Sequence, residues 1–361
     1  EDTPTGAIAF TVGDIETAAG SLTVIAVSSN TTLVPNANIT LGGSGANRNI
    51  TLTPAANANG ATTITVTVSD GSLTASSNFT LTVNAVNDAP TLAGIEAANL
   101  VYNEGAAATA VTATLTADDI DNTTFTGATV WISQNFIPSE DILEFTNTAT
   151  ITGNFAGGTL QLTGVDSKAN YTTALRNVRY RNSNNVLPNT AVRMVSYQVN
   201  DGATQSAVAK RGVQVVEIND PPVAEAGPNQ SQSCVRPIGT AVTLNGTASF
   251  DIENDPLTYT WKINNAVVAS GVSPTINLLP GTHVVTLEVN DGRGGIATDN
   301  VTITLIPDVT PPQITAPASI TVNTTTGLCS ATPSIGMATA TDNCPWPITI
   351  SNNAPAIFPK G

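Results

Sequence analysis

Residues 64–90 read ITVTVSDGSLTASSNFTLTVNAVNDAP, a stretch built around an Asp-Gly pair. Apolar and polar residues alternate before the Asp-Gly pair at 70–71, as at Val66 and Val68, and they alternate again after it. This pattern is typical of a β-hairpin with one buried face. Pro90 cannot donate a hydrogen bond to a sheet, so strand pairing ends there and a linker begins. The stretch is therefore predicted to be the closing hairpin of a β-sandwich.

The same pattern occurs twice more along the chain, in residues 195–222 (VSYQVNDGATQSAVAKRGVQVVEINDPP) and 284–312 (VVTLEVNDGRGGIATDNVTITLIPDVTPP). In each copy, the Asp of an Asp-Gly turn is followed 17 to 19 residues later by an Asp in a Pro-containing linker. A chain of 361 residues is too long for one sandwich. The repeats thus predict a tandem array with boundaries near residues 88, 220 and 308.

The composition favours an all-β, extracellular protein. Thr, Val, Ala, Asn, Ser and Gly dominate, and only 11% of residues are charged, which favours short strands and tight turns. The 12 basic and 27 acidic residues give a net charge of −15, which excludes nucleic acid and anionic lipid as partners and makes cations the natural counter-charge. No run of 18 apolar residues and no leader pattern occurs, so we expect no membrane insertion of this chain. Three cysteines suit an oxidising exterior.

Acidic residues also cluster near the front of each unit, in VGDIET, TADDIDN and SFDIENDPLTY. A return strand of about 10 to 12 residues at about 3.3 Å each separates an Asp-Gly turn from the linker Asp that follows it, so the turn faces the preceding linker. The linker Asp, the front cluster of the next domain and that domain's Asp-Gly turn are therefore predicted to converge. Carboxylates in this number suit Ca²⁺. The alternative is plain turn chemistry, which Asp and Asn favour without metal.

Four segments resemble known families. Residues 1–88, with EDTPTGAIAFTVGDIE and VNDAP, resemble a bacterial cadherin-like or immunoglobulin-like repeat, and residues 89–220, with APTLAGIEAANLVYNEG and TADDID, resemble a cadherin-like repeat with an insertion. Residues 221–307, with PVAEAGPNQ and GTHVVTLEVNDGRGG, resemble a PKD domain from end to end. Residues 308–361, with ATDNCPWPITI, are similar to the first part of a HYR module. The resemblances imply tandem immunoglobulin-like β-sandwiches arranged as an extended rod.

The cadherin resemblance implies Ca²⁺ at the domain junctions, held by residues at matching positions. At the first junction these are Asn87, Asp88, Glu104, Asp119, Asp121 and Asp201. At the second they are Asn219, Asp220, Asp251, Glu253, Asp255 and Asp291. The acidic residues of the first repeat, Asp14, Glu16 and Asp70, complete the expected metal ligands.

The remaining reactive residues predict no catalytic site. His283 is the only histidine, and no serine lies in a nucleophile turn, so neither a zinc cluster of histidines nor a catalytic triad can form. Cys329 and Cys344 lie 15 residues apart on strands expected to be neighbours, and we predict a disulfide between them. Cys234 is then left as a buried thiol or as the partner of a group outside the chain.

These observations favour a non-catalytic stalk in a large bacterial cell-surface adhesin or filament, similar to gliding adhesins. Its partners would be neighbouring repeats of the same long chain, and surface polysaccharide or another cell would bind through regions outside this segment. Two alternatives stay open: accessory glycan-binding modules of a secreted hydrolase, and a homopolymeric filament subunit. We also expect the first repeat to lack its first strand and the last to be cut short, or to be completed by a strand from another chain.

Overall fold

The computed structural model describes residues 1–359, and it confirms the predicted all-β class of immunoglobulin-like sandwiches. The chain divides into two compact units, one from Glu1 to Glu217 and the other from Ile218 onward. Three separate apolar cores lie within them, two in the first unit and one in the second. The domain boundaries and the extended rod stay predictions. Among the described residues, no helix is long and apolar enough to cross a membrane.

The first sandwich consists of two antiparallel three-stranded sheets. Its strands are β1 (Ile8–Thr11), β2 (Thr23–Ser28), β3 (Ile39–Ser44), β4 (Asn47–Leu52), β5 (Gly60–Ser69) and β6 (Thr74–Val83), with 3₁₀ turns at Ala19–Ser21 and Asn36–Asn38. The sheet orders are β1-β4-β3 and β2-β5-β6. The predicted hairpin at residues 64–90 thus forms β5 and β6, which pair from Gly60 opposite Val83 to Ser69 opposite Thr74. Its core holds six buried apolar residues: Leu33, Val34, Ile50, Leu52, Ile64 and Val83.

The second sandwich is larger. Its elements are β7 (Thr91–Ala93), β8 (Leu100–Asn103), β9 (Thr109–Ala110), β10 (Thr116–Asp118), β11 (Thr124–Gln134), β12 (Asp141–Glu144), β13 (Thr152–Ala156), β14 (Thr159–Ser167), α1 (Lys168–Arg176), β15 (Arg179–Asn182), β16 (Arg193–Asn200) and β17 (Ala209–Val216). The sheet orders are β13-β14-β11-β16-β17-β8, β12-β15-β9 and β10-β7. Strand β8 runs parallel to β17, with Leu100 opposite Val213 and Asn103 opposite Val216. The Ser167 side chain caps α1 by accepting from the backbone N–H of Asn170.

A buried ionic network lies in the second sandwich. The Arg193 side chain is fully buried, with Nη2 2.9 Å from a Glu140 oxygen and Nε 3.0 Å from an Asp141 oxygen. The Tyr180 hydroxyl donates to Asp141 at 2.6 Å. Each buried charge thus has an opposite charge and hydrogen bonds, which such groups require to be tolerated in a core.

Glu96 forms a second ionic contact in this sandwich. Its carboxylate accepts from the Thr112 hydroxyl at 2.6 Å and the Ala113 backbone N–H at 2.8 Å, and it lies 3.3 Å from Arg211. Burial works to raise the pKa of Glu96, but these three partners together lower that pKa to about 2.

The second unit begins with the third sandwich. Its strands are β18 (Gln230–Val235), β19 (Thr240–Thr243), β20 (Thr258–Ile263), β21 (Ala266–Ser270), β22 (Thr275–Leu278), β23 (Gly281–Asn290) and β24 (Ile296–Pro307). The sheet orders are β18-β24-β23-β20-β21 and β19-β22, and β18 runs parallel to β24. Trp261 is the largest fully buried side chain, and its indole N–H donates to the Gly271 carbonyl at 3.0 Å. The Trp261 ring is thus a core residue of the third sandwich.

The C-terminal segment holds four short strands in two separate pairs. They are β25 (Gln313–Thr315) with β27 (Thr339–Thr341), and β26 (Ser330–Ala331) with β28 (Phe358–Pro359). The predicted bridge between Cys329 and Cys344 is wrong, because Cys344 is bonded to Cys234 and Cys329 is a free, exposed thiol. Cys329 precedes β26 whereas Cys344 follows β27, so the two residues belong to different strand pairs. The assumption that their strands are neighbours therefore fails.

Candidate metal centres

The first acidic cluster forms where the linker after the first sandwich meets the start of the second. The Asn87 side-chain amide donates to Asp201 Oδ2 at 2.9 Å and to the Asp88 carbonyl at 2.9 Å. The Asp88 backbone N–H donates to Asp121 Oδ2 at 2.6 Å, and the Asp121 N–H donates to Asp119 Oδ1 at 2.8 Å. Linker, front cluster and Asp-Gly turn thus converge, as the spacing of the motifs predicts.

The second acidic cluster repeats this arrangement at the start of the second unit. The Asn219 side-chain amide donates to Asp291 Oδ2 at 2.8 Å and to the Asp220 carbonyl at 3.0 Å. The Asp220 N–H donates to Glu253 Oε1 at 3.0 Å, and the Glu253 N–H donates to Asp251 Oδ1 at 3.0 Å. Five equivalent positions therefore carry the same hydrogen bonds in two sandwiches of different size.

Both clusters contain buried oxygen atoms without a hydrogen-bond partner. In the first cluster these atoms are Asp88 Oδ2 and Asp119 Oδ2, together with Glu1 Oε1. In the second they are Asn219 Oδ1, Asp220 Oδ2, Asp251 Oδ2, Glu253 Oε2 and Asp255 Oδ2. Buried polar atoms in folded proteins nearly always have a partner, and an unpaired one costs about 1 to 3 kcal/mol. All of these atoms are oxygens, so the partner that would satisfy them together is a hard cation.

The charges of the first cluster affect one another. Burial and the neighbouring carboxylates of Asp121, Asp2, Glu1 and Asp119 raise the pKa of Asp88. The ionised form of Asp88 is therefore less favoured than that of a solvent-exposed aspartate, and a bound cation would reverse that effect.

The Asp-Gly carboxylates show the opposite shift. Burial works to raise the pKa of Asp201, but hydrogen bonds from the Thr204 backbone and from the Asn87 side chain lower it. The Asn219 side chain is the main cause of the lowered pKa of Asp291, to which backbone N–H groups of residues 293 and 295 also contribute. Both carboxylates are thus held ionised by hydrogen bonds within their clusters.

Two features distinguish the second cluster. The guanidinium of Arg293 lies 3.0 Å from Asp255 Oδ1, and Arg293 is 65% exposed. This contact leaves the second Asp255 oxygen unpaired. A side chain at Gly295 would place its Cβ 2.1 Å from Asp291 Oδ2 and 2.7 Å from the Pro221 Cα, so the close approach of the Asp-Gly loop to the linker requires glycine there.

The other predicted ligands have different surroundings. Asp14 Oδ1 accepts from the backbone N–H groups of Glu16 and Thr17, and Asp70 Oδ1 accepts from Ser72 and Leu73. These hydrogen bonds are ordinary turn contacts, which were the alternative interpretation of the acidic residues. Glu104 directly follows β8 in the second sandwich; it is buried, and its backbone N–H donates to the Val216 carbonyl at 2.8 Å.

Sequence reasoning missed four participants in the first cluster. Glu1 and Asp2 lie with Asp88 in one group, in which one carboxylate oxygen from each residue lies within 4.8 Å of the other two. Asn122 donates to Asn87 Oδ1 at 3.0 Å, and Thr204 accepts from Asn87 at 3.1 Å. The Glu1 nitrogen lies 3.4 Å from the Asn84 carbonyl just after β6, much as the Glu104 N–H pairs with Val216 at the end of β17.

A third group is less suited to a cation. Asp308, Asp342 and Cys344 have ligand atoms within 4.8 Å of one another. The Cys344 sulfur is already bonded to Cys234, so no thiolate is available there, and two carboxylates alone remain.

Comparisons with known proteins agree with this architecture. Residues 1–83 match the model of the bacterial Ig domain family, and residues 219–305 match the model of the PKD domain family. No curated protein matches the chain. Both modules are non-catalytic repeat units typical of extracellular, adhesion-type proteins. The HYR resemblance of residues 308–361 stays a prediction.

Solved structures of cadherin repeats are also similar to the chain. The extracellular cadherin domains 1-5 of protocadherin gamma B2 match 80% of this chain at 11% identity with a TM-score of 0.43, and the chain spans 53% of that structure's length. Mouse cadherin-23 EC22-24 matches 83% of this chain and 92% of its own at 15% identity with a TM-score of 0.40.

Proposed function

We propose that this chain is a non-catalytic stalk segment of a secreted or cell-surface adhesin, in which Ca²⁺ holds each linker against the sandwich that follows it. One observation carries the proposal: buried oxygens without partners recur at equivalent positions in both acidic clusters. The hydrogen bonds around them are the same in each cluster, which is difficult to explain by chance exposure of acidic residues.

The donor sets fit calcium. Asp88, Asp119 and Glu1 would supply ligands in the first cluster. In the second, unpaired oxygens belong to Asn219, Asp220, Asp251, Glu253 and Asp255. Ca²⁺ takes six to eight oxygen ligands, of which water and backbone carbonyls can supply the remainder. When bound, the ion supplies positive charge that offsets the repulsion among these carboxylates.

The chain's own residues prepare both sites. The side chains of Asn87 and Asn219 each bond a linker to an Asp-Gly turn. The backbone N–H groups of Asp88 and Asp220 bond the same linkers to the front clusters. These bonds place the carboxylates before any ion arrives. Binding therefore needs little ordering of the loops, which favours affinity.

Calcium titration by isothermal calorimetry, with the full chain in a chelator-treated buffer, tests the proposal. We expect two sites, one lost in Asp119→Asn and the other in Asp251→Asn. Asp166→Asn is the matched control for the first unit, because Asp166 accepts from Thr150, Asn170 and Ser167, which do not belong to the first cluster. Absence of binding in the unmodified chain, or titrations that neither variant changes, would reject the calcium sites.

The stalk role is tested separately by small-angle scattering with and without EDTA. Calcium that fixes the linkers should reduce the flexibility of the chain and increase its maximum dimension. Magnesium at equal concentration is the control, because its smaller octahedral shell fits all-protein oxygen cages poorly. Scattering that is unchanged by EDTA would contradict the stiffening role even if calcium binds.

A further inference from the structure

The outer face of the six-stranded sheet in the second sandwich carries ordered rows of side chains. Strand β11 lies between β14 and β16, and its residues Ala128 and Val130 are buried in the core, so the residues on either side of them point outward. Three rows of outward residues cross these strands, each with its β11 member first: Gly127 with Thr163 and Asn200, Thr129 with Gln161 and Gln198, and Trp131 with Thr159 and Ser196. Apart from the glycine and the tryptophan, every member carries a hydroxyl or an amide.

A groove opens in this face at Gly127. Because glycine has no side chain, the first row has a gap between Thr163 and Asn200. The groove has a volume of about 260 Å³ and is lined mainly by the first two rows and by residues of the loop 202–205. No lining residue is charged, although the chain carries a net charge of −15. The groove is therefore a polar but neutral depression.

Three amide side chains of the groove are each held by one end. Gln161 Oε1 accepts from the Thr129 hydroxyl at 3.0 Å, and the Gln198 NH₂ group donates to the Ser206 carbonyl at 2.9 Å. Asn200 Oδ1 accepts from the backbone N–H two residues later at 2.6 Å. Within residues 1–359, the other end of each amide makes no hydrogen bond. The groove thus presents two oriented NH₂ donors and one oriented carbonyl acceptor.

An aromatic surface lies beside these amides. Trp131 is two residues beyond Thr129 on the same strand, which places it about 7 Å farther along the same face. Its side chain is only partly buried. Tryptophan offers a flat apolar surface to a ligand, next to the hydrogen-bonding groups of the first two rows.

This lining selects one class of ligand. An apolar ligand would leave the amides unpaired, and a nucleic acid would be repelled by the net negative charge. An extended peptide cannot add by strand pairing, because the backbone of β11 is already paired on both sides. A sugar fits, since each hydroxyl both donates and accepts and the C–H face of the ring is apolar.

We propose that this groove binds a neutral oligosaccharide. A sugar ring packs against Trp131, and its hydroxyl groups accept from the Gln161 and Asn200 NH₂ groups and donate to Gln198 Oε1. The segment then contributes an adhesive surface of its own, beyond a stalk role. None of these residues belongs to the sets proposed to bind Ca²⁺, so the site stands whether or not those clusters hold a cation.

Isothermal calorimetry on the full chain tests the site with five neutral probes: cellohexaose, xylohexaose, mannohexaose, laminarihexaose and chitohexaose. We expect saturable binding of at least one probe and none of an acidic oligogalacturonate. Gln161→Glu should weaken binding at least tenfold, because it keeps the oxygen that accepts from Thr129 and replaces the free NH₂ donor by a charged oxygen. The matched control is Gln232→Glu, the same change at an exposed position of the third sandwich, which should bind as the unmodified chain does.

The position of the ligand is read from tryptophan fluorescence. Trp261 is fully buried in the third sandwich and Trp346 lies in the C-terminal segment, so a ligand-induced change should come from Trp131 and disappear in Trp131→Phe. A change that persists in Trp131→Phe would place the ligand elsewhere and overturn the proposal. Failure of all five probes to bind, equal binding of the oligogalacturonate, or full affinity in Gln161→Glu would overturn it as well.

Discussion

Substitution of Asp251 by Asn is the sharpest test of the second acidic cluster. Asp251 is 6% exposed, and its Oδ1 accepts from the backbone N–H groups of Glu253 at 3.0 Å and Asp255 at 3.1 Å. Its Oδ2 is buried without a partner. Asparagine keeps the accepting oxygen and replaces the other by an NH₂ group, which cannot ligate a cation. The substitution thus removes one ligand while it leaves the turn intact.

The magnitude follows from mass action. A ligand at 100 times its Kd stabilises the folded state by about 2.7 kcal/mol, which for a unit of this size corresponds to a melting shift of about 5 to 10 °C. The second cluster in the unmodified chain should show this gain in Ca²⁺ relative to EDTA, and Asp251→Asn should lose most of it. In EDTA the Asp251→Asn variant should melt at a higher temperature than the unmodified chain, because the variant has one fewer negative charge among the carboxylates of the cluster.

Differential scanning calorimetry of the full chain, in Ca²⁺ and in EDTA, measures both effects. Asp299→Asn is the control, because Asp299 lies in the same unit and accepts from the Ala226 N–H at 2.7 Å outside the cluster. It should keep the calcium-dependent gain. A variant at Asp251 that melts with the same calcium dependence as the unmodified chain would refute the reasoning.

Three further predictions concern stability and covalent structure. Arg193→Met should destabilise the second sandwich by about 3 to 5 kcal/mol in urea unfolding, because it leaves two buried carboxylates without their cation; a loss under 1 kcal/mol would contradict this. Peptide mapping of the alkylated, unreduced protein should find Cys234 joined to Cys344 and label only on Cys329, and a Cys329–Cys344 peptide would contradict the structure. The pKa of Glu96 is lowered to about 2 in the folded protein, so its stabilising contribution is present above its ordinary pKa and is lost as pH falls toward 2. Glu96→Gln should therefore reduce the loss of folding stability between the ordinary pKa of glutamate and pH 2. An unchanged dependence of stability on pH in this range would show that the contacts of Glu96 are unimportant.

The hairpins and the convergence of acidic residues were predictable because they depend on local patterns. Alternation around the Asp-Gly pair at 70–71 places β5 and β6, and repetition of that pattern identifies the other closing hairpins. The contact between Asn87 and Asp201 follows from strand length alone, since the length decides which end of a sandwich a turn occupies. Whether these oxygens bind a cation stays a prediction.

The disulfide could not be predicted in the same way. Cys234 and Cys344 are 110 residues apart in sequence, and their pairing depends on where the C-terminal segment lies against the end of β18. The short spacing between Cys329 and Cys344 does not indicate a disulfide, because the strands next to these two residues lie in different sheets. The role of Glu1 was missed for a related reason, because it lies outside every repeated motif.

The parallel pairing of an early strand with the last strand decides how the second and third sandwiches resist mechanical force. Tension on the two ends of the second sandwich pulls β8 and β17 in opposite directions along their length, so their hydrogen bonds are loaded in shear and must rupture together. The same holds for β18 and β24 in the third sandwich. A strand pair loaded in shear ruptures at a higher force than one that separates bond by bond, so the second and third sandwiches should both resist tension.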